Sequence, residues 1–262
     1  MSKSLIPAQR RERIQAFLSA HKIVATADLC DLLDVSEATV RRDLEWLEGR
    51  GIIERTHGGA IFNERVNSEQ EYQQRALRQI EEKRKIGSLA ASFIDDGDIV
   101  FVNSGTTTTQ LIRSIRSDVD ATVITNNLIA ALEVGEVSFD VLILGGSLQP
   151  KSISVAGRFA IQNLSQVYAN KAFIGVDGIS IKHGCTVPSN AEAEVVHHML
   201  ERTQGPVCVL ADFSKWGVVS NFEIASINQV NRLFTDDRLD FGARSSLAAR
   251  SVEIIIAHGN SN

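Results

Sequence analysis

Five short stretches of this chain carry residue types able to hold an anion or a polyhydroxy compound. The first is Asn103-Ser104-Gly105-Thr106-Thr107-Thr108-Thr109. A glycine between an apolar run and a helix-forming stretch, followed by hydroxyl side chains, offers backbone N–H groups and hydroxyl donors at a helix N-terminus. That is a seat for phosphate or carboxylate. No Gly-Lys-Ser/Thr follows it and no G-x-G-x-x-G occurs, so it is neither a Walker A loop nor a dinucleotide fingerprint. The other four are Thr125-Asn126-Asn127, Gly145-Gly146-Ser147, Asp177-Gly178 and Asp212-Phe213-Ser214-Lys215-Trp216-Gly217. The asparagine amides can bond hydroxyls, and the glycine pair permits close backbone approach. Any one of these alone reads as ordinary loop chemistry. Together they predict one convergent polar pocket.

A second chemistry lies near the N-terminus, from Val35 to Gly59. Ser36 reads as the N-cap of a helix, its hydroxyl taking an unpaired first-turn N–H. Val40, Leu44 and Leu47 recur at i, i+4 and i+7 and form its apolar stripe. The opposite face carries Glu37, Ala38, Thr39, Arg41, Arg42 and Glu45. Gly49 and Gly51 are expected to end the helix in left-handed geometry. A strand over 52–56, a turn at His57-Gly58-Gly59 and a return strand over 60–62 follow. An Arg-bearing helix followed by a small hairpin has the shape of a winged helix-turn-helix, whose helix fits a DNA major groove. The expected DNA contacts are Ser36, Glu37, Thr39, Arg41 and Arg42 on the helix and Arg55 and His57 on the wing. Asp43 is expected either to orient Arg42 or to form a surface pair.

These residues need elements to position them. Residues 7–20 read as a first helix with Ile14, Phe17 and Leu18 inward. A second helix, capped by Thr26, carries Leu29, Leu32 and Leu33. Residues 63–80 are polar and read as a linker, and 80–94 as a helix. Lys83-Arg84-Lys85 on that helix is expected to be a solvated face balanced by Glu81 and Glu82, with a place near DNA as the alternative. Beyond Asp98, apolar runs at 99–102, 123–124, 141–144, 172–176, 207–210, 233–234 and 252–256 alternate with helical segments. That rhythm predicts a mostly parallel sheet covered on both faces. Ligands of such sheets bind at the carboxyl ends of strands, where the five polar stretches fall. The fold class is therefore α/β: a winged helix-turn-helix over 1–62, a linker over 63–80, and a Rossmann-like, mostly parallel α/β domain over 81–262.

Composition narrows the classes further. The chain has 262 residues, 44% hydrophobic and 23% charged, with a net charge of −5. It is long enough for two domains. No apolar run reaches the roughly 18 residues of a membrane span, and the N-terminus lacks a signal-peptide apolar region. Cys30, Cys185 and Cys208 fit no disulfide or zinc spacing and are expected to be reduced, in a cytoplasmic protein. His197-His198 is a poor metal pair, since adjacent helical residues do not share a face; no metal and no cofactor is expected. Residues 1–62 hold nine Lys/Arg and nine Asp/Glu. A neutral domain with clustered arginines suits sequence-dependent binding by a dimer better than non-specific binding.

The motifs V-S-E-A-T-V-R-R-D-L-x-x-L-E and R-T-H-G-G, with the later S-G-T-T-T, T-N-N, L-G-G, A-F-I-G-V-D-G-I and D-F-S-K-W-G, resemble those of DeoR-family bacterial transcriptional regulators. The resemblance runs over nearly the whole chain. It implies a sensor domain similar to phosphosugar isomerases, a phosphorylated sugar as effector, repression of carbohydrate operons, double-stranded operator DNA as partner, and a homodimer or homotetramer. On the same resemblance Gly105, Thr106, Thr107 and Thr108 match a phosphate-binding loop, and Asn126, Asp177 and Lys215 match positions lining the sugar pocket. Ser104, Asn127, Gly145 and Gly146 complete the expected effector-binding set. Two positions depart from the family pattern: Asn103 stands where Asp is common, and Gly184-Cys185-Thr186 where many members read G-L-T. The alternative is a phosphosugar isomerase or deaminase with an appended DNA-binding domain, using Asp177, Lys215 and Glu192 or Glu194 for proton transfer. The sequence offers those only as single candidates at separate strand ends, so no catalytic residues and no enzyme activity are expected.

Overall fold

The computed structural model describes residues 6–21, 23–50, 52–56, 58–62, 64–65, 72–135, 137 and 139–258. The N-terminal unit comprises α1 (Pro7–His21), β1 (Ile23–Ala25), α2 (Thr26–Leu33), α3 (Glu37–Gly49), β2 (Ile53–Arg55) and β3 (Gly59–Phe62). Its sheet runs β1-β3-β2, all antiparallel. Ile14 and Leu18 of α1, Leu29 and Leu33 of α2, and Val40, Leu44 and Leu47 of α3 close one core with Ile53 and Ala60. The apolar stripes expected from the sequence are thus the faces that pack.

Several local details differ from expectation. Ser36 holds the N-cap position of α3 but its side chain caps no N–H. Its hydroxyl lies 3.0 Å from the Thr39 hydroxyl instead. Ala25, not Thr26, occupies the cap position of α2, because the Thr26 amide donates to the Gly58 carbonyl at 2.8 Å and ties α2 to the wing. Helix α3 ends at Gly49 with Arg50 as a right-handed C-cap (φ −98°), so no left-handed residue closes it there; Gly51 lies outside the described residues. Asp43 faces inward. It is 1% exposed and accepts from Arg10 Nε at 2.5 Å and Arg11 Nε at 2.8 Å. Successive helical residues diverge by about 100°, so adjacency to Arg42 says nothing of a shared face.

The segment expected as a linker carries structure. β4 (Glu64–Arg65) and α4 (Tyr72–Leu77) lead into α5 (Ile80–Ala91). β4 pairs in parallel with β14 (Val218–Val219) of the C-terminal unit. Tyr72 is buried, and its hydroxyl lies 2.8 Å from Thr109 Oγ1. Lys83 is not a solvated cation. It is 3% exposed, and its Nζ donates to the Arg75 carbonyl at 2.5 Å. Arg84 alone of that run pairs with Glu81, at 2.7 Å.

The C-terminal unit continues with β5 (Ile99–Val102), α6 (Thr106–Ser114), β6 (Thr122–Thr125), α7 (Leu128–Glu133), β7 (Asp140–Ile143), β8 (Ser147–Gln149), β9 (Ser154–Ala156) and α8 (Arg158–Leu164). Then come β10 (Lys171–Gly175), β11 (Gly178–Ser180), β12 (Gly184–Val187), α9 (Asn190–Glu201), β13 (Val207–Leu210), β14 and β15 (Phe222–Ala225). β16 (Arg232–Asp236), α10 (Phe241–Ala248) and β17 (Glu253–Ala257) complete it. Seven strands form one parallel sheet in the order β17-β16-β13-β10-β5-β6-β7. Val100 and Val102 point to the α5–α6 side with Ile86 and Leu111, while Phe101 points to the other core with Leu164 and Val196. Both faces are covered, which is why the central strands read as unbroken apolar runs. β7 is the exception: Leu142 and Ile143 are exposed at the sheet edge. The chain starts in the middle, at β5, builds outward to β7, and returns across to β10. The order therefore reverses between β5 and β10, and a crevice opens there at the strand ends.

Candidate functional site

The cleft at that reversal point is assembled from separate strand ends. Ser104, Gly105, Thr106, Thr107, Asn126, Asp177 and Lys215 all line it. Seven of the eleven expected effector residues thus meet in one place. The amides of Thr106 and Thr107 lie in the first turn of α6, where N–H groups lack helical partners. The seat is neutral and donor-rich, held by buried supports. Asn103 locks β5 to β10, its Nδ2 donating to the Gly175 carbonyl at 2.9 Å and its Oδ1 accepting from the Gly175 amide at 2.7 Å. A carboxylate could not make the first of these bonds, so the Asn at this position has a structural reason. Asn126 accepts from the Ser104 amide at 2.8 Å and donates to the Val155 carbonyl at 3.0 Å. Its amide is engaged in shaping the loop.

Four expected residues stand outside the cleft. Thr108 is fully buried and donates to the Asn103 carbonyl at 2.8 Å, closing the turn into α6. Asn127 caps α7 through the Ala130 amide at 3.1 Å and reaches Thr109 Oγ1 at 2.8 Å. Gly145 and Gly146 follow β7, two strands away from the reversal point, and the Gly145 amide donates to Asn163 Oδ1 at 2.9 Å. The strands next to the crossing and their immediate neighbours, β6 and β13, supply the lining, and β7 lies one strand further out.

One charged cleft residue, Arg75, lies outside the expected set, and Glu192, a candidate of the enzymatic alternative, does line the cleft. Arg75 reaches in from α4, with Nη1 3.2 Å from Asp177 Oδ1. Glu192, buried in the first turn of α9, closes the other wall. Arg75 sits in a polar segment without apolar periodicity, which offered no signal of burial. Lys215 follows Asp212, whose Oδ1 accepts from the Ser214 amide at 3.0 Å, and its ammonium has no hydrogen-bond or ion-pair partner among the described residues. Burial pushes the nearby Lys83 ammonium down to about 8; the Asp212 carboxylate opposes this, while the Lys215 and Arg75 charges add to it. Glu194, by contrast, is exposed and accepts from Asn190 at 2.9 Å.

The N-terminal unit presents a second surface. Ser36, Glu37, Arg41, Arg42 and Glu45 are exposed along α3 and Thr39 is half-buried. Glu37, Arg41 and Arg55 line one groove between α3 and the wing. Arg41 rests on Glu37 at 2.6 Å and Arg55 on Glu45 at 3.1 Å. Such exposed pairs are worth little and exchange easily for phosphate. Arg42 has no partner among the described residues; His57 lies outside them. Arg11 and Arg50 stack on Trp46 with Cζ 4.4 Å and 3.8 Å from the ring centroid. Part of the basic cluster is therefore structural.

The profile of the DeoR C terminal sensor domain matches residues 78–237, and that of the DeoR-like helix-turn-helix domain matches residues 10–66. The chain belongs to the DeoR family. It is a DNA-binding transcriptional regulator in which a helix-turn-helix precedes a sensor domain. The chain is 38% identical over 250 residues to the HTH-type transcriptional repressor GlcR of Bacillus subtilis, covering 95% of each protein. It is 32% identical over 251 residues to the HTH-type transcriptional regulator GlpR of Haloferax volcanii, covering 96% of this chain and 98% of that one. Among solved structures, ribose 5-phosphate isomerase A of Methanocaldococcus jannaschii aligns with a TM-score of 0.38 at 15% identity, over 51% of this chain and 53% of that one. No helix of the described residues of this DeoR-family regulator is long and apolar enough to cross a membrane.

Proposed function

We propose that this regulator is a cytoplasmic repressor of a carbohydrate operon, controlled by a phosphorylated sugar bound in the sensor cleft. One observation carries the reading. A neutral, donor-rich helix N-terminus at residues 104–107 shares one cleft with a carboxylate, Asp177, and an unpartnered ammonium, Lys215. The first suits a phosphate, and the other two suit hydroxyl and carbonyl groups of a sugar. The effector works by linkage: it binds one arrangement of the chain better and so shifts operator affinity. The ligand is bound rather than turned over. The relatives matched over nearly the whole chain are named transcriptional regulators; of the alternative's candidates, Glu194 lies outside the cleft, Asp177 is engaged by Arg75, and Glu192 lines the cleft.

Operator binding is supported by the exposed α3 face, with Arg42 and the groove residues Arg41 and Arg55 directed at double-stranded DNA. Assembly as a homodimer or homotetramer is supported by Leu132, Leu142, Leu148 and Phe159, all exposed apolar side chains on the elements around the β7 edge. The test is a thermal-shift screen with sugar phosphates and their parent sugars. A ligand at about 100 times its dissociation constant stabilises by about 2.7 kcal/mol. Stabilisation by one sugar phosphate and not its parent is expected. A flat panel contradicts the effector assignment and leaves the DNA-binding assignment standing.

A further inference from the structure

The sensor cleft opens into a second space. Arg75, Asp177 and Lys215 also line an open cavity that His21, Ile23 and Phe62 of the winged unit line as well. Arg75 thus stands at the junction of ligand cleft and domain boundary. Its carrier, α4, lies between the two family matches, which end at 66 and resume at 78.

Three observations distinguish Arg75 from a surface arginine. First, α4 is fixed to the helix that forms the phosphate seat, through the Tyr72 hydroxyl at 2.8 Å from Thr109 Oγ1, and to the Lys151 carbonyl through the Tyr72 amide at 2.7 Å. Second, a single Arg75 nitrogen, Nη1, faces both Asp177 oxygens, at 3.2 and 3.4 Å, while its Nε is buried with no hydrogen-bond partner. A guanidinium carries five donors in a planar fork. Here one edge of the fork is unsatisfied and buried beside an open cleft. Third, Asp177 leads straight into β11, and the Ile181 amide just beyond β11 donates to Glu54 Oε1 on the wing strand β2 at 2.8 Å. The ion pair therefore joins the connector before the sensor to the hairpin that holds the wing.

We propose that Arg75 is a ligand-binding residue and that α4 is a wall of the sensor cleft that responds to occupancy. The ligand class is a phosphorylated polyhydroxy compound. Its phosphate sits at residues 104–107, a hydroxyl donates to Asp177, and a second oxygen accepts from Arg75. Asp177 and Arg75 then exchange part of their mutual contact for the ligand. That exchange loosens α4 from β11 and alters the docking of the winged unit, from the connector side and from the Glu54 side together. This inference rests on the sugar-phosphate reading of the cleft.

The experiment is titration calorimetry on the full chain, with inorganic phosphate and a panel of three- to six-carbon sugar phosphates as probes. Wild type, Arg75→Ala, Arg75→Lys and Gln74→Ala are compared, the last being an exposed position on the same helix. Wild type is expected to bind one sugar phosphate at least tenfold more tightly than inorganic phosphate. Arg75→Ala should reduce that preference at least tenfold, Arg75→Lys should restore part of it, and Gln74→Ala should stay within twofold of wild type. Equal sugar-phosphate affinity in wild type and both Arg75 variants overturns the inference and leaves the functional reading intact. An equal loss in Gln74→Ala also overturns it, since α4 would then matter only as packing. If no sugar phosphate binds wild type, both fall.

Discussion

Replacing Asp43 by alanine separates two accounts of the recognition helix. Asp43 is 1% exposed and holds the guanidinium groups of Arg10 and Arg11 at 2.5 and 2.8 Å. Removing one partner of a buried pair costs roughly 3–5 kcal/mol when the remaining charge is sealed from water. Here the two arginines are 12% and 24% exposed and regain solvent. Arg11 also keeps its stacking on Trp46. The discounted loss is about 2–3 kcal/mol. In a unit of about 60 residues each kcal/mol moves the melting temperature by roughly 4–8 °C, so its transition should fall by about 10–20 °C. Trp46 fluorescence, read in a Trp216→Phe background, follows that unit alone. Operator affinity at low temperature, where the unit is still folded, should change little. An unchanged melt with operator binding lost would refute the inward role, and Asp43 would then act by presenting Arg42.

Arg42→Ala should weaken specific operator binding by about 1–3 kcal/mol and leave the melt within about 0.5 kcal/mol, measured by gel-shift titration and calorimetry. A fall of about one in the salt slope would mark a phosphate contact, and relaxed base preference a guanine contact. Burial pushes the Glu54 carboxyl above its ordinary 4.5, against hydrogen bonding from Ser180 and Ile181. The folded state therefore holds the proton to higher pH than the unfolded chain. Stability contributed by the protonated group is present below about 4.5 and is lost as pH rises through the folded value. Glu54→Gln should flatten that fall in a series of melts from pH 4 to pH 8, and parallel wild-type and variant profiles would contradict it. Leu142→Asp at the β7 edge should shift the mass measured by light scattering toward the monomer, and an unchanged mass would place the interface elsewhere.

The parts legible in the sequence are those where one physical rule dominates. The α3 stripe of Val40, Leu44 and Leu47 was legible because burial repeats with the helical period. Strands such as Val207–Leu210 were legible because a parallel sheet with two covered faces leaves no polar alternation. Their polar ends then located the cleft, and seven named residues line it. The misses share a cause. Gly145 and Gly146 follow a strand like the others, but strand order in space is a long-range property that local runs do not carry. Arg10 and Arg11 reach Asp43 across more than 30 residues, and no spacing rule reports that. Lys83 and Arg75 depart from the usual exposure of Lys and Arg, so a polar run hid Arg75 in the cleft and Lys83 in the adjoining space.

The central claim is that cleft and operator are coupled in one chain. It is tested most directly by measuring the operator dissociation constant of the full-length protein with and without saturating sugar phosphate, and the ligand's own affinity with and without operator. The account predicts a change in operator affinity of about 5- to 150-fold, mirrored by an equal change in ligand affinity. A ligand that binds the cleft tightly while both constants stay the same would contradict it.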